Sequence, residues 1–285
     1  MIHETVNAEM VTIERRVHRL FRYRKFWFPS RAQAREISES LRPDDVVRFF
    51  AVSPALHNPP HLVEHYKIDT LWIDLSAGPE AVLNGMQRKS CRHEIRRAEK
   101  MLARVAIEIG SEKANRDFLI VYNEFSRAKG LPELRSRWIR DNSAHQETLV
   151  LYLDGLPLCS HLLLRDQETS MVRLLYSGSR RLESREQSVA CGALNRYLHW
   201  HEIQRYYAQG FLTFDFGGLG HPESISRFKL SFGGAVRPQH FYLLSGLRWV
   251  ARLGKLVYEQ ILRRRTFKPA DKVWDENSEE AAHCA

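Results

Sequence analysis

Residues 147–179 constrain the fold more than any other part of the chain. ETLVLYLDG, LPLCSHLLLRD and SMVRLLYSGS are three apolar runs separated by Asp154-Gly155 and by the polar stretch Asp166 to Thr169. Asp-Gly between such runs is a strong signal for a tight hairpin, and the second gap offers another turn, so the segment predicts a three-stranded antiparallel meander. A helix is predicted over 186–209, with Ala190, Leu194, Tyr197 and Leu198 on its buried side and Gly210 as its stop. FLTFDFGG at 211–218 then reads as a buried strand, because it concentrates aromatic and β-branched bulk and ends at Gly217-Gly218.

The flanks are read by the same rules. Residues 14–31 mix Arg15, Arg16, Arg19, Arg22, Arg24 and Lys25 with Phe21, Tyr23, Phe26, Trp27 and Phe28. Two readings follow: a grip on phosphates and bases, or an amphipathic element that packs its aromatics and leaves its arginines in water. Helical composition around Ala32 to Leu41 stops at Pro43, VVRFFAV at 46–52 reads as a strand, and Pro54, Pro59 and Pro60 mark a loop. TLWIDL (70–75) is a strand leading to one helix from Pro79 to about Leu102, with Pro79 and Glu80 suited to its first turn. On that helix Arg92 and Arg96 share a face with Arg88, a cationic ridge that either binds phosphate or is solvated and paired with Glu94 and Glu99. VAIEIG (105–110) is a strand, a helix over 114–129 ends at Gly130, and HFYLL (240–244) is a last strand.

Between Gly217-Gly218 and Gly233-Gly234 lies SISRFKLSF. Read as a strand of a hairpin, it puts Arg227 and Lys229 on one face and Phe228 and Leu230 on the other. Lys229 then sits on the hairpin surface. The opening of the helix near 186, with Arg180, Arg181, Arg185, Gln187 and Gly192, would present backbone N–H groups beside arginines, an arrangement suited to a phosphate.

These motifs carry a resemblance. A strand with Asp-Phe-Gly-Gly, then Ser-Arg-Phe-Lys-Leu-Ser-Phe-Gly-Gly, is similar to the C-terminal signature of the FemAB-like branch of the GNAT acyltransferase superfamily, a grouping that includes peptidoglycan bridge aminoacyltransferases and BioF2-like acetyltransferase domains. TLWIDLS followed by RKSCRHEIRRAEK resembles that family's strand and Arg-rich helix. The resemblance brackets about residues 68–245 and implies an α+β, GNAT-like fold: a mixed, mostly antiparallel sheet flanked by helices, whose central strands splay around the acyl donor. With the resemblance placing the acyltransferase domain at 66–245, the chain divides further into 1–65, an N-terminal extension or reduced subdomain; 246–268, whose pattern reads as a basic amphipathic helix; and 269–285, whose composition reads as a disordered tail. The resemblance implies Lys229 as a cation steadying transition-state charge or a donor phosphate. Asp215 would orient the amine or accept its proton or, as the alternative, cap the turn at Gly217-Gly218, and Tyr176 with Ser177 would line the donor gap. Arg180, Arg181, Arg185, Gln187, Gly192 and Arg227 become donor or phosphate contacts, and Arg92 and Arg96 acceptor or phosphate contacts. The segment at Gln187 partly resembles the coenzyme A pyrophosphate loop, but Ala190 replaces its first glycine.

The implied reaction is transfer of an acyl or aminoacyl group to an amine of a cell-envelope or polysaccharide precursor, with acyl-CoA or aminoacyl-tRNA as co-substrate and no permanently bound cofactor or metal. The alternative is a non-catalytic module of the same fold that binds RNA or an anionic membrane. Charge fits either: 43 Lys and Arg against 34 Asp and Glu leave a net charge of +9, which favours anionic partners. Residues 245–265, apolar on one side and basic on the other, suit a peripheral membrane contact or packing on their own domain. Cys91, Cys159, Cys191 and Cys284 are scattered and suggest neither a zinc site nor a disulfide framework, and neither a leader nor a run of about 18 apolar residues is found. A cytoplasmic protein is expected, with the inner membrane face as an added location. Hydrolase, kinase and metalloenzyme readings fall behind, since Asp215-Phe216-Gly217 lacks a catalytic loop and His201-Glu202 lacks a second helical histidine.

Overall fold

The structure, a computed structural model, describes residues 12–17, 21–136, 139, 144–180, 185–220 and 223–247, with the side chains of 12–13, 15–17 and 185–188 outside that description. Residues 246–268 and 269–285, to which the sequence assigned a basic helix and a tail, lie outside it but for Gly246 and Leu247, as does Arg181. The described chain forms two compact units, one running up to Ile68 and resuming at Pro238, the other Asp69–Arg237. Two strands, β4 (Leu62–Asp74) and β10 (Ala235–Ser245), each have one end in either unit.

In the first unit β1 (Thr12–Val17) and β2 (Phe21–Trp27) form an antiparallel hairpin, β2 runs parallel to β3 (Asp45–Val52), and β3 is antiparallel to β10. The segment read as an amphipathic element with wet arginines is therefore largely strand. Arg22 and Arg24 are drawn in by the buried Asp45, at 2.7 and 3.0 Å. Helix α1 (Arg31–Glu39) starts at a capping box, Ser30 Oγ accepting from the Gln33 N–H while Gln33 Oε1 accepts from the Ser30 N–H. Ala34 of this helix joins a small core with Phe26, Val47, Phe49, Tyr242 and Leu244.

The second unit holds the larger core. Its strand order is β4, β9 (Thr213–Gly218), β8 (Met171–Ser179), β7 (Leu156–Asp166), β6 (Gln146–Leu153), β5 (Val105–Ile109). From β5 to β8 every pairing is antiparallel, β8 and β9 are parallel, and β9 returns antiparallel to β4. This is the mixed, mostly antiparallel sheet flanked by helices, with the meander where the Asp154-Gly155 turn placed it. The central β7 is buried along nearly its whole length, so its apolar run has no polar alternation. Helix α4 (Glu112–Lys129) packs on β6, β7 and β8, and α5 (Arg185–Ala208) packs on β7 and β8. Leu194, Leu198, Ile203 and Tyr206 of α5 meet Leu71, Ile73, Val172, Leu174, Phe214 and Phe216 of the strands in one cluster. Cys159 and Cys191, far apart in sequence, meet there as thiols 3.8 Å apart.

Two elements differ from the sequence reading. The single helix from Pro79 is three pieces: α2 (Pro79–Gly85), a π-helical turn (Arg88–Arg92) and α3 (His93–Glu99). The break follows Gly85, where the Gln87 N–H leaves the helical path to bond Ser231 O at 2.9 Å. The second difference concerns the site directly. The strand predicted across Arg227 and Lys229 is a helix, α6 (Glu223–Leu230). Arg227 pairs one turn back with Glu223, and Phe228 packs with Phe232. The 3–4 spacing over 223–232 therefore overrides the local alternation that suggested a strand.

Candidate active site

Two β-bulges and one ion pair shape the site. β8 and β9 pair from Met171 with Thr213 to Arg173 with Asp215, and go no further, although both strands continue. At the next residue each strand carries an irregularity. In β8 the register to β7 slips between Leu174 and Tyr176, and in β9 the register to β4 slips between Asp215 and Gly218. An extra residue bends and twists its strand away from the ladder, so bulges at matching heights on adjacent strands drive them apart. At the point of separation the buried Arg173 donates to Asp215 Oδ2 at 3.0 Å. The other carboxylate oxygen of Asp215 accepts the Gly217 N–H at 2.7 Å. The turn-capping alternative for Asp215 is thus present, joined to an ion pair that fastens β9 to β8 just below the gap.

In that gap lies a cleft of about 210 Å³. Leu174, Ser177 and Ser179 of β8 and Phe216 of β9 line it, together with Phe125 and Lys129 of α4, Asn195 and His199 of α5, and Ile225, Phe228 and Lys229 of α6. Lys229 is not the surface lysine of a hairpin. It is buried, and its ammonium donates to Gly218 O, the end of β9, at 2.7 Å. Arg227 does not share its face, being exposed and paired, among the described residues, with the equally exposed Glu223.

Behind the cleft is a cluster of buried ionisable groups. His199 and Glu202 are three apart on α5, one turn, and His161 reaches them from β7. Glu202 Oε1 takes His161 Nδ1 at 2.6 Å and Oε2 takes His199 Nδ1 at 2.9 Å, so one carboxylate holds two rings, which stack at 4.0 Å. Burial alone would raise the Glu202 carboxyl, but the two histidines hold it down at about 2. Burial, and then the neighbouring His161, draw His199 down to about 4 against the pull of Glu202, with Lys229 adding a smaller push the same way. His199 is therefore neutral near pH 7, with its proton on Nδ1. His161 Nε2 meets the Asn195 amide at 3.0 Å, an acceptor there if the amide turns its nitrogen inward.

These three side chains place ligand atoms within 4.8 Å of one another, the spacing of a metal site. Tetrahedral zinc, with bonds of about 2 Å, holds its ligand atoms ~3.3 Å apart, farther than the 2.6 Å between His161 Nδ1 and Glu202 Oε1. In this geometry the cluster is a hydrogen-bonded one.

The structure brings together only part of the set named from sequence. Lys229 and Ser177 line the cleft and Asp215 lies at its base, whereas Tyr176 is buried on the α4 side, its ring edge-on to Tyr122 at 5.1 Å. Arg180 makes a bidentate pair with Glu124 at 2.7 and 2.9 Å. Arg185 and Gln187 lie in the first turn of α5, where only the backbone is described, and Gly192 has open space where a Cβ would project. The proposed ridge is uneven: Arg96 is exposed, while Arg92 is partly buried with its Nε enclosed and unbonded among the described residues. His161, His199, Glu202 and Asn195 were missed. A histidine inside the apolar run of β7 was the available signal, since a buried imidazole needs a partner.

The fold matches known ones. Solved structures of similar fold include FemX (11% identity, 91% of this chain and 89% of that one, TM-score 0.59) and the C-terminal domain of a putative lysylphosphatidylglycerol synthetase from Agrobacterium fabrum (12%, 90% and 88%, 0.53). A third is L-PGS from Bacillus licheniformis (10%, 93% and 89%, 0.51). No curated protein matches the sequence. The family model described as an acetyltransferase (GNAT) domain matches residues 86–230, just over half of the chain. The chain belongs to that family and is an acyltransferase of GNAT fold.

Proposed function

We propose that the protein transfers an acyl or aminoacyl group, from a coenzyme A thioester or a charged tRNA, to an amine of a cell-envelope or polysaccharide precursor. The observation that carries this reading is the cleft opened where β8 and β9 stop pairing at Arg173 and Asp215. Its volume of about 210 Å³ falls below the ~300–1,000 Å³ of pockets that enclose a whole drug-sized ligand. The cleft therefore takes the transferred unit and the reacting carbonyl, and the bulk of the donor lies outside. Ser177, Ser179 and Asn195 offer hydrogen bonds to such a unit, and Lys229 supplies positive charge beside developing negative charge. The envelope acceptor is supported by the likeness to FemX and to a structure named for lysylphosphatidylglycerol synthesis. Lys229, Asp215 and the arginines near α5 and α3 remain in this proposal as contacts for donor or acceptor charge. The membrane contact proposed for 245–265 belongs to it as well.

Calorimetry on the full chain at fixed low salt tests this, titrating acetyl-CoA, a longer acyl-CoA, and charged and uncharged tRNA. Micromolar binding of one donor, lost in Ile225→Trp, which fills the cleft, is expected. Binding to none of them overturns the transferase reading in favour of a non-catalytic module.

A further inference from the structure

We propose that His199 Nε2 takes the proton from the attacking amine, with Glu202 and His161 as positioning residues that hold its ring. This deepens the transferase reading and rests on it. The assignment follows from geometry. The Nδ1–H of His199 is committed to Glu202 Oε2 at 2.9 Å, which leaves the lone pair on Nε2. Nε2 has no hydrogen-bond partner among the described residues, and His199 lines the cleft. Glu202 cannot swing away, because its second oxygen is held by His161 Nδ1 at 2.6 Å. His161 is anchored in turn at Asn195. A base oriented by a carboxylate that is itself fixed is the arrangement general-base catalysis requires.

The groups facing His199 also set when it holds a proton. They are Glu202 and Asn195 on its own helix, His161 on β7 and Lys229 on α6, and the rings of Phe216, Phe228 and Phe232 enclose the rest. Glu202 favours the imidazolium, while burial, Lys229 and the stacked His161 oppose it, so a proton gained is soon passed on. The step balances. The neutral amine nitrogen bonds to the acyl carbonyl carbon as the C=O π pair moves to oxygen, and one N–H proton goes to Nε2. Collapse of the adduct restores C=O and breaks the bond to the donor sulfur or oxygen, and that leaving group takes the proton back from Nε2.

Hydroxamate formation from hydroxylamine, with acetyl-CoA or alanyl-tRNA as donor, is the test. In His199→Gln the rate is expected to fall at least about 100-fold while donor binding by calorimetry stays unchanged. In His199→Ala, added imidazole is expected to recover part of the rate, which a purely structural role would not allow. A His199→Gln protein that transfers within about threefold of the parent overturns the assignment alone, as does His199→Ala with donor binding intact and no rescue. A parent protein that transfers to hydroxylamine from neither donor overturns the transferase reading and this assignment with it.

Discussion

Acid should weaken this protein through His199, by an amount the structure sets. The imidazole is held at about 4 in the folded chain against 6.5 as the ordinary value. Between those values the unfolded chain binds a proton that the folded chain refuses, so stability rises with pH across this window. Read downward, the loss begins as pH falls through about 6.5 and is complete near pH 4. Going from pH 7 to 4.5, linkage gives a loss of about 2 kcal/mol from this one group. Other histidines shifted downward, His65, His201 and His240, add to the total slope, so the informative quantity is a difference between two proteins. Urea unfolding of the parent and of His199→Gln, at intervals from pH 7 to 4.5, should give curves that converge by about 2 kcal/mol as acid is added. Parallel curves, with the gap constant within about 0.5 kcal/mol, would refute the reasoning. They would mean that the ring is solvated or already charged, and not the enclosed neutral base described above.

Two further outcomes follow from the same core. Asp215→Ala removes the carboxylate that pairs with the buried Arg173 and is expected to cost about 3–5 kcal/mol, whereas replacing both members by leucine costs much less; thermal melts of the three proteins decide. Lys229→Ala leaves Gly218 O buried without its ammonium and is expected to cost about 1–3 kcal/mol. It should also raise the His199 pKa, because a positive neighbour is removed, and an NMR titration that shows no rise would remove Lys229 from the electrostatics of the cleft.

The sheet was legible in the sequence because its signals are local. Asp154-Gly155 marks a turn whatever surrounds it, and the long apolar runs of β6 to β8 have few other uses. Breaks set by tertiary contacts were not legible. The bond from Gln87 N–H to Ser231 O, which ends α2, joins residues 144 positions apart in the chain. At 227–230 a short alternating string imitated a strand, and only the window including Glu223, Ile225 and Phe232 carries the helical period. The site divided the same way. Lys229 and Asp215 stood out within motifs, while the His161, His199 and Glu202 cluster exists only once β7 and α5 are packed together, and His161 lies 41 positions from Glu202.

Gly233 and Gly234 lie just beyond α6, after Ser231 and Phe232, both in the left-handed region at φ 79° and 88°. A Cβ on Gly233 would stand 2.7 Å from Gly85 O, and one on Gly234 would stand 2.4 Å from Trp72 O. Neither obstacle is a side chain that could swing aside; both are backbone. The doublet therefore works as a dowel, pinning the last turn of α6 against the end of α2 and the rail of β4. The place from which Lys229 reaches Gly218 O is thus gauged in part by two missing methyl groups on the far side of the helix end.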